Sequence, residues 1–244
     1  MKKTLAIVSL EKEVGKSTLA LNLANSLNII TEQPTFLLDL DFHNAGLTKI
    51  LGLQELPASI HDITLKNLHP REAAYKHASG FYFVPNFCIS KNFSSSLLAK
   101  NISKLKQENS LAILDSNSGK GMLGSLEAGD EFIIVSSFSK QALEQSMQLA
   151  SIIESNSKTV LGIVFNKTKT NLDASSIEKI ELAIGRKVLA VLPEHNSLHA
   201  ANLKNHPMTY LYPSIKPTLL FKTLSQTLLN HSDLNQPIQN KILA

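Results

Sequence analysis

Residues 4–18 read TLAIVSLEKEVGKST, and residues 19–30 continue LALNLANSLNII. The first stretch opens with five apolar or β-branched residues, apolar on consecutive positions rather than alternate ones, which is the pattern of a strand buried on both faces of a parallel sheet. Helical spacing then takes over from Ser17, predicting a helix over 17–28. Between them lies Gly15-Lys16-Ser17-Thr18. A turn in that position aims backbone N–H groups and a helix N-terminus at an anion, the physical basis of a phosphate-binding loop. A bare GKS is weak evidence, because the same letters also start helices that bind nothing.

The rest of the chain supplies the missing context. Further strands are predicted over 35–38, 81–84, 111–114, 132–135, 160–165 and 188–191, and helices over 95–108, 140–155, 174–183 and 217–229. In the helix over 140–155, Ala142, Leu143, Met147, Leu149, Ala150 and Ile153 mark one apolar face. Strands alternating with helices predict an α/β fold: one mostly parallel sheet with helices on both faces, joined by right-handed crossovers. No repeat or interdomain linker breaks the pattern, so residues 1–231 are expected to form one domain. Residues 232–244, SDLNQPIQNKILA, are expected to be a flexible tail without a membrane-binding apolar face.

Composition narrows the function classes. With 244 residues, 43% of them hydrophobic, and a net charge of +4, the chain has enough apolar residues to close a core and is not disordered overall. No run reaches the roughly 18 apolar residues of a membrane span. The single cysteine, Cys88, sits in an apolar run, and one thiol excludes a disulfide framework. The opening MKKTLAIVSL imitates a secretory signal, but Glu11, Lys12 and Glu13 end the apolar run too early, so the expected location is cytoplasmic. Of 24 basic residues only Arg71 and Arg186 are arginine, which argues against sequence-specific DNA readout.

Three segments complete a nucleotide site in principle. In a phosphate loop Lys16 would reach the β- and γ-phosphates, the Ser17 hydroxyl would ligate magnesium, and Thr18 would lie near the phosphates. The segment LLDLDFHN puts Asp39 and Asp41 at the carboxyl end of the second strand, where ligands of open α/β sheets bind. LAILDSNSG puts Asp115 after four apolar residues. The bland alternatives are solvated strand-end acids and helix-capping residues.

Taken together, TLAIVSLEKEVGKSTLALNLANSL, TFLLDLDFHNAGLTKILGL, LAILDSNSG, GDEFIIVSS, VLGIVFNK and VLAVLPEHNSLHAAN resemble the MinD/ParA group of P-loop ATPases over nearly the whole chain. The resemblance implies a P-loop NTPase fold with ATP or ADP and Mg²⁺ as cofactors. It implies nucleotide binding by Val14, Gly15, Lys16, Ser17 and Thr18, with the base held by Asn166 and the backbone around Pro193 and Glu194. Lys16 and Asp41 would be catalytic, Asp41 orienting the attacking water. Ser17, Asp39 and Asp115 would hold magnesium, and Gly119 would let the switch loop approach the γ-phosphate. It implies work in spatial positioning of a division site, an appendage or a plasmid, with a protein partner such as an activator or polar factor, and a homodimer. With no direct membrane anchor evident, any membrane would be reached through that partner.

The departures are as informative as the matches. The family's loop reads G-K-G-G-x-G-K-[ST]; here Leu10 stands at its first glycine, Glu11 at its signature lysine, and Lys12 and Glu13 at the next two glycines. In the family that lysine reaches the partner subunit's triphosphate. A carboxylate there reverses the sign of an interaction of about 4 kcal/mol at 4 Å and an effective dielectric near 20. Lys12 replaces it only if the loop shifts by one residue. Asn117 stands where the family's switch has proline. Two functions therefore stay open: an ATPase with weak or partner-dependent hydrolysis, and a non-hydrolysing scaffold on the same fold. A ligase or reductase relative lacks a substrate motif or the paired cysteines, and His195 with His199, spaced i, i+4, lacks a third zinc ligand.

Overall fold

The computed structural model describes residues 3–31, 33–42, 44–54, 56–87, 93–116, 120–169 and 172–230, with Lys120 by its backbone alone. Cys88, Asn117, Gly119 and the expected tail over 232–244 lie outside the described residues.

The strands are β1 (Thr4–Val8), β2 (Thr35–Leu40), β3 (Tyr75–Lys76), β4 (Tyr82–Val84), β5 (Leu111–Ser116), β6 (Glu131–Ser136), β7 (Thr159–Thr168) and β8 (Val188–Pro193). They form one sheet in the order β3-β4-β2-β5-β1-β6-β7-β8. Every pairing is parallel except that of β3, which runs antiparallel to β4 at the edge. The strand order reverses at β1, which sits between β5 and β6, so the crevice beyond its carboxyl end is the topological switch point where α/β sheets bind ligands.

The helices are α1 (Lys16–Ile30), α2 (Gly46–Ile50), α3 (Ile60–Leu65), α4 (Ser95–Gln107), α5 (Lys120–Ala128), α6 (Lys140–Ser155), α7 (Ala174–Ile184), α8 (Asn196–Leu203), α9 (Met208–Leu211) and α10 (Lys216–Leu229). They cover both faces. Leu5 and Ile7 of β1 point into a core with Leu19 and Leu23 of α1, Met208 of α9 and Leu224 of α10. Ala6 and Val8 point the other way, against Leu98 and Ile102 of α4 and Leu149 and Ile153 of α6. That alternation on one strand is why β1, β2, β5 and β6 are buried along their whole length. Burial of this kind stabilises by about 25 cal/mol per Å² of apolar surface.

Helix α1 is buried on nearly every side, and its polar residues serve packing. Asn22 Oδ1 accepts a hydrogen bond from the Thr209 N–H at 3.0 Å, and Asn25 Nδ2 donates to Thr209 Oγ1 at 2.8 Å, fixing α9 onto α1. Among the described residues no helix is long and apolar enough to cross a membrane.

The seven predicted strands and five predicted helices are all present, shifted at their ends. The short elements β3, α2, α3, α5, α8 and α9 were not predicted. Helix α5, KGMLGSLEA, shows why: a Cβ at Gly121 would lie 2.2 Å from the Leu40 carbonyl oxygen, so close packing against β2 demands a residue that weakens the helical signal.

Candidate functional site

The crossover from β1 to α1 is built on two backbone positions in the left-handed region. Gly15 caps α1 with φ 96°, and Glu13 has φ 55°. At Gly15 the conformation and the space both require glycine, because a Cβ would lie 2.1 Å from Asn166 Nδ2. Glu13 takes a conformation that glycine would adopt at no cost. Its carbonyl oxygen accepts a hydrogen bond from Lys167 Nζ at 2.7 Å, and the next carbonyl, of Val14, accepts from Asn166 Nδ2 at 2.8 Å. The end of β7 therefore holds the loop after β1.

At the loop's centre Lys16 is buried, and its Nζ donates to the Glu11 carbonyl oxygen at 2.8 Å. Burial pulls its pKa below the ordinary lysine value, while the carboxylates of Asp115, Asp41 and Glu11 draw it back up. Those acids come from three segments. Asp39 of β2 and Asp115 of β5 are direct cross-strand partners, and Asp115 is also level with Ile7 of β1. Asp41 lies one residue beyond β2, where its Oδ1 accepts from the Asn44 N–H at 3.0 Å and its carbonyl from the Ala45 N–H at 2.9 Å. The turn it anchors brings Gly46 against α1, where a Cβ would lie 3.0 Å from Ser17 Oγ.

The two strand carboxylates differ in their surroundings. Asp39 is fully buried and well supplied with donors: Asp41 N at 3.0 Å to Oδ1, and Thr48 N at 3.1 Å and Thr48 Oγ1 at 2.9 Å to Oδ2. Asp115 is equally buried, yet neither of its oxygens completes a hydrogen bond of good geometry. Burial pushes Asp39 up to about 8, the neighbouring Asp115 adding to the effect and the donors opposing it. Burial pushes Asp115 up to about 7; the nearby Ser17 hydroxyl and Lys16 draw it down, and Asp41 raises it.

A buried carboxylate with unsatisfied oxygens is expensive unless a cation completes its surroundings. The donor set suits magnesium arriving with phosphate oxygens, since that ion is commonly held by one or two carboxylates plus phosphates and water. Among the described residues, no group of three or more His, Cys, Asp or Glu side chains would hold a metal unaided. The Ser17 hydroxyl lies near Asp115, which like Asp39 is buried.

In front of these residues opens a cavity of about 780 Å³. It brings together Gly15, Lys16, Ser17, Thr18, Asp41, Asn166, Pro193 and Glu194 of the sequence-predicted site. Val14 is buried behind the cavity, facing it through no lining atom, and contributes the carbonyl that holds Asn166. The Asn166 side chain was expected to offer both a donor and an acceptor to a base; one of its two amide hydrogens is engaged by that carbonyl. Sequence reasoning missed most of the far wall, formed by Lys167, Leu198, Asn202 and, in a different role from the one weighed, His195 and His199. His195 Nδ1 caps α8 by accepting from the Ser197 N–H at 3.2 Å.

The Glu11 carboxylate, at the position of the family's signature lysine, turns back onto its own chain. Its Oε1 accepts from the Ser137 N–H at 2.9 Å and its Oε2 from Ser137 Oγ at 2.6 Å. Lys12 is exposed and lines the cavity.

Comparison with known proteins agrees with this geometry. Residues 5–208 match the model of the CobQ/CobB/MinD/ParA nucleotide binding domain. An uncharacterized ATP-binding protein of Methanocaldococcus jannaschii is 24% identical over 205 residues, 82% of this chain and 78% of that protein. A virulence plasmid ParA family protein of Chlamydia psittaci is 26% identical over 99% of this chain and 96% of its own length. The structure is similar to that of the septum site-determining protein MinD of Pyrococcus horikoshii, solved with Mg-ADP, with a TM-score of 0.83 and 21% identity over 97% of this chain and 99% of that one.

Proposed function

The chain belongs to the CobQ/CobB/MinD/ParA nucleotide-binding family, and from that premise we propose that it binds Mg-ATP and Mg-ADP in the cavity at the end of β1 and works in spatial positioning. The observation that carries this reading is Asp115, a buried carboxylate with two unsatisfied oxygens beside Lys16 and Ser17. In this reading Gly15, Lys16, Ser17 and Thr18 meet the phosphates, and Ser17 and Asp115 hold magnesium, with Asp39 acting through Thr48 to fix the turn in front of them. Magnesium would supply charge neutralisation of the phosphate oxygens. Asp41, held by Asn44, orients the attacking water. Phosphoryl transfer asks little more of a protein than such positioning and charge. Asn166, Pro193 and Glu194 form the base end of the site.

Hydrolysis is slow or depends on a protein partner, which also carries the protein to any membrane; the septum site-determining protein and the virulence plasmid ParA family protein are the models for that role. A second reading, a nucleotide-binding scaffold without turnover, is favoured by Glu11, whose carboxylate is committed to Ser137 rather than offered across a dimer.

Calorimetry of Mg-ATP and Mg-ADP binding to the wild type and to Lys16→Ala, with turnover measured on the same samples, decides between them. Micromolar binding lost in the variant, with slow wild-type turnover, supports the ATPase. Binding without turnover, with or without candidate partners, selects the scaffold. Absence of binding at millimolar nucleotide removes both.

A further inference from the structure

A phosphate-binding loop works only when its N–H groups are fixed toward the anion before the anion arrives, and glycine normally makes the tight curl cheap. Here the five residues before Gly15 are Leu10, Glu11, Lys12, Glu13 and Val14. None has glycine's freedom, so something else must hold the curve. Three side chains from outside the loop do so. Lys167 and Asn166 hold the carbonyls of Glu13 and Val14 from β7, and Ser137, just beyond β6, holds the Glu11 carboxylate with two donors, 126 residues away in the chain.

We infer that Glu11 and Ser137 form a clasp that positions the phosphate loop and its lysine within a single chain. The inference rests on the nucleotide-binding reading above. Glu11 is fixed at three groups: its N–H donates to Ser9 Oγ at 3.0 Å, its carboxylate takes both Ser137 donors, and its carbonyl accepts Lys16 Nζ at 2.8 Å. The residue that Ser137 grips is therefore the one on which the phosphate-seeking ammonium rests. Hydrogen bonds to a charged acceptor are the stronger kind, and both oxygens are used, so the carboxylate is held toward β6 instead of swinging into the anion site. Glu11 and Ser137 are positioning residues; neither needs to touch the ligand.

The test is Mg-ADP affinity by calorimetry for the wild type, Glu11→Ala, Glu11→Gln, Glu11→Lys, Ser137→Ala and the Glu11→Ala/Ser137→Ala double variant, with melting of each nucleotide-free protein measured alongside. Loss of a charge-assisted pair predicts about tenfold weaker binding for Glu11→Ala. Glu11→Gln, which keeps an acceptor for the Ser137 N–H and gains a donor for its hydroxyl, recovers most of the affinity. The double variant is no weaker than Glu11→Ala alone, the mark of two residues acting as one unit. Glu11→Lys behaves like Glu11→Ala. Affinity that is unchanged in Glu11→Ala, raised in Glu11→Lys, or additive in the double variant overturns the clasp, as does a loss that tracks only a fall in melting temperature. Failure of the wild type to bind Mg-ADP overturns the nucleotide reading and takes the clasp with it, so the two failures are told apart by the wild type alone.

Discussion

The two ends of the central strands treat their carboxylates in opposite ways. At the amino ends of β1 and β6, Asp130 accepts the Thr4 N–H at 2.7 Å and Lys106 Nζ at 3.0 Å, and Glu131 is paired with Lys3. At the carboxyl ends of β2 and β5, Asp39 and Asp115 face each other across the ladder, and Asp115 lacks any well-formed hydrogen bond. The same sheet thus has one end where every described acid near β1 is paired and another where two acids are buried side by side, one of them, Asp115, with neither oxygen hydrogen-bonded. Buried charge without a partner lowers stability, and a fold keeps such groups where a ligand will supply what is missing. The contrast locates the site independently of the loop motif.

Asp115→Asn is the sharpest way to break this contrast, and it should act in two directions. Removing a carboxylate that receives magnesium is expected to weaken Mg-ATP binding by about ten- to a hundredfold, measured by calorimetry with and without magnesium. The same change removes a buried charge from the nucleotide-free protein, so its melting temperature should rise, by about 2–4 °C for each kcal/mol gained in a chain of this size. Weaker binding with an unchanged or lower melting temperature would mean that Asp115 is better satisfied in the free protein than its geometry implies.

Much of this contrast was open to reading from the sequence, and the part that was not has a common cause. The strands announced themselves as short apolar runs, and α6 was legible end to end because Ser139 is a strong N-cap, accepting from the Ala142 N–H at 3.2 Å, and an apolar stripe follows it. Lys16, Ser17 and Thr18 were readable because they are adjacent in the chain, and Asp41 because it follows an apolar strand run. Ser137 and Lys167 were not: their contacts to Glu11 and Glu13 cross 126 and 154 residues, and each is only the last residue of a strand stretch whose match says nothing about that contact. The far wall of the cavity was hidden for a related reason. Helix α8 has His195 as its cap, a weak sequence signal, and α2 is capped by Ala45, which takes φ 46° where glycine or asparagine would have flagged the turn.

Asp130→Ala is the matching change at the other end, with a smaller expected effect. It strands the Thr4 N–H at the start of β1 and frees Lys106. The exposed part of that ion pair counts for little, so the cost, about 1–2 kcal/mol read from denaturant unfolding, lies mainly in the lost bond to Thr4. Nucleotide affinity should stay as in the wild type. A matching loss of affinity would show that the two ends are coupled through β1 rather than separately built.

The effect that ties the contrast to solution conditions is that of pH. In the folded protein Asp39 and Asp115 titrate near 8 and 7, above the ordinary value of 3.8, so the fold binds protons that the unfolded chain releases between those limits. Their contribution to stability is fully present below pH 3.8 and is lost as pH rises through the folded values. Over pH 5–8 the nucleotide-free protein should therefore become less stable, and Asp115→Asn should flatten that slope. Magnesium binding must displace the proton on Asp115, so Mg-nucleotide affinity should move the other way, tightening as pH rises through about 7, with proton release visible in buffers of different ionisation enthalpy. Stability and ligand affinity with opposite pH slopes, the first flattened and the second lost in Asp115→Asn, would tie the unsatisfied carboxyl at this end of the sheet directly to ligand binding. Parallel slopes would separate them.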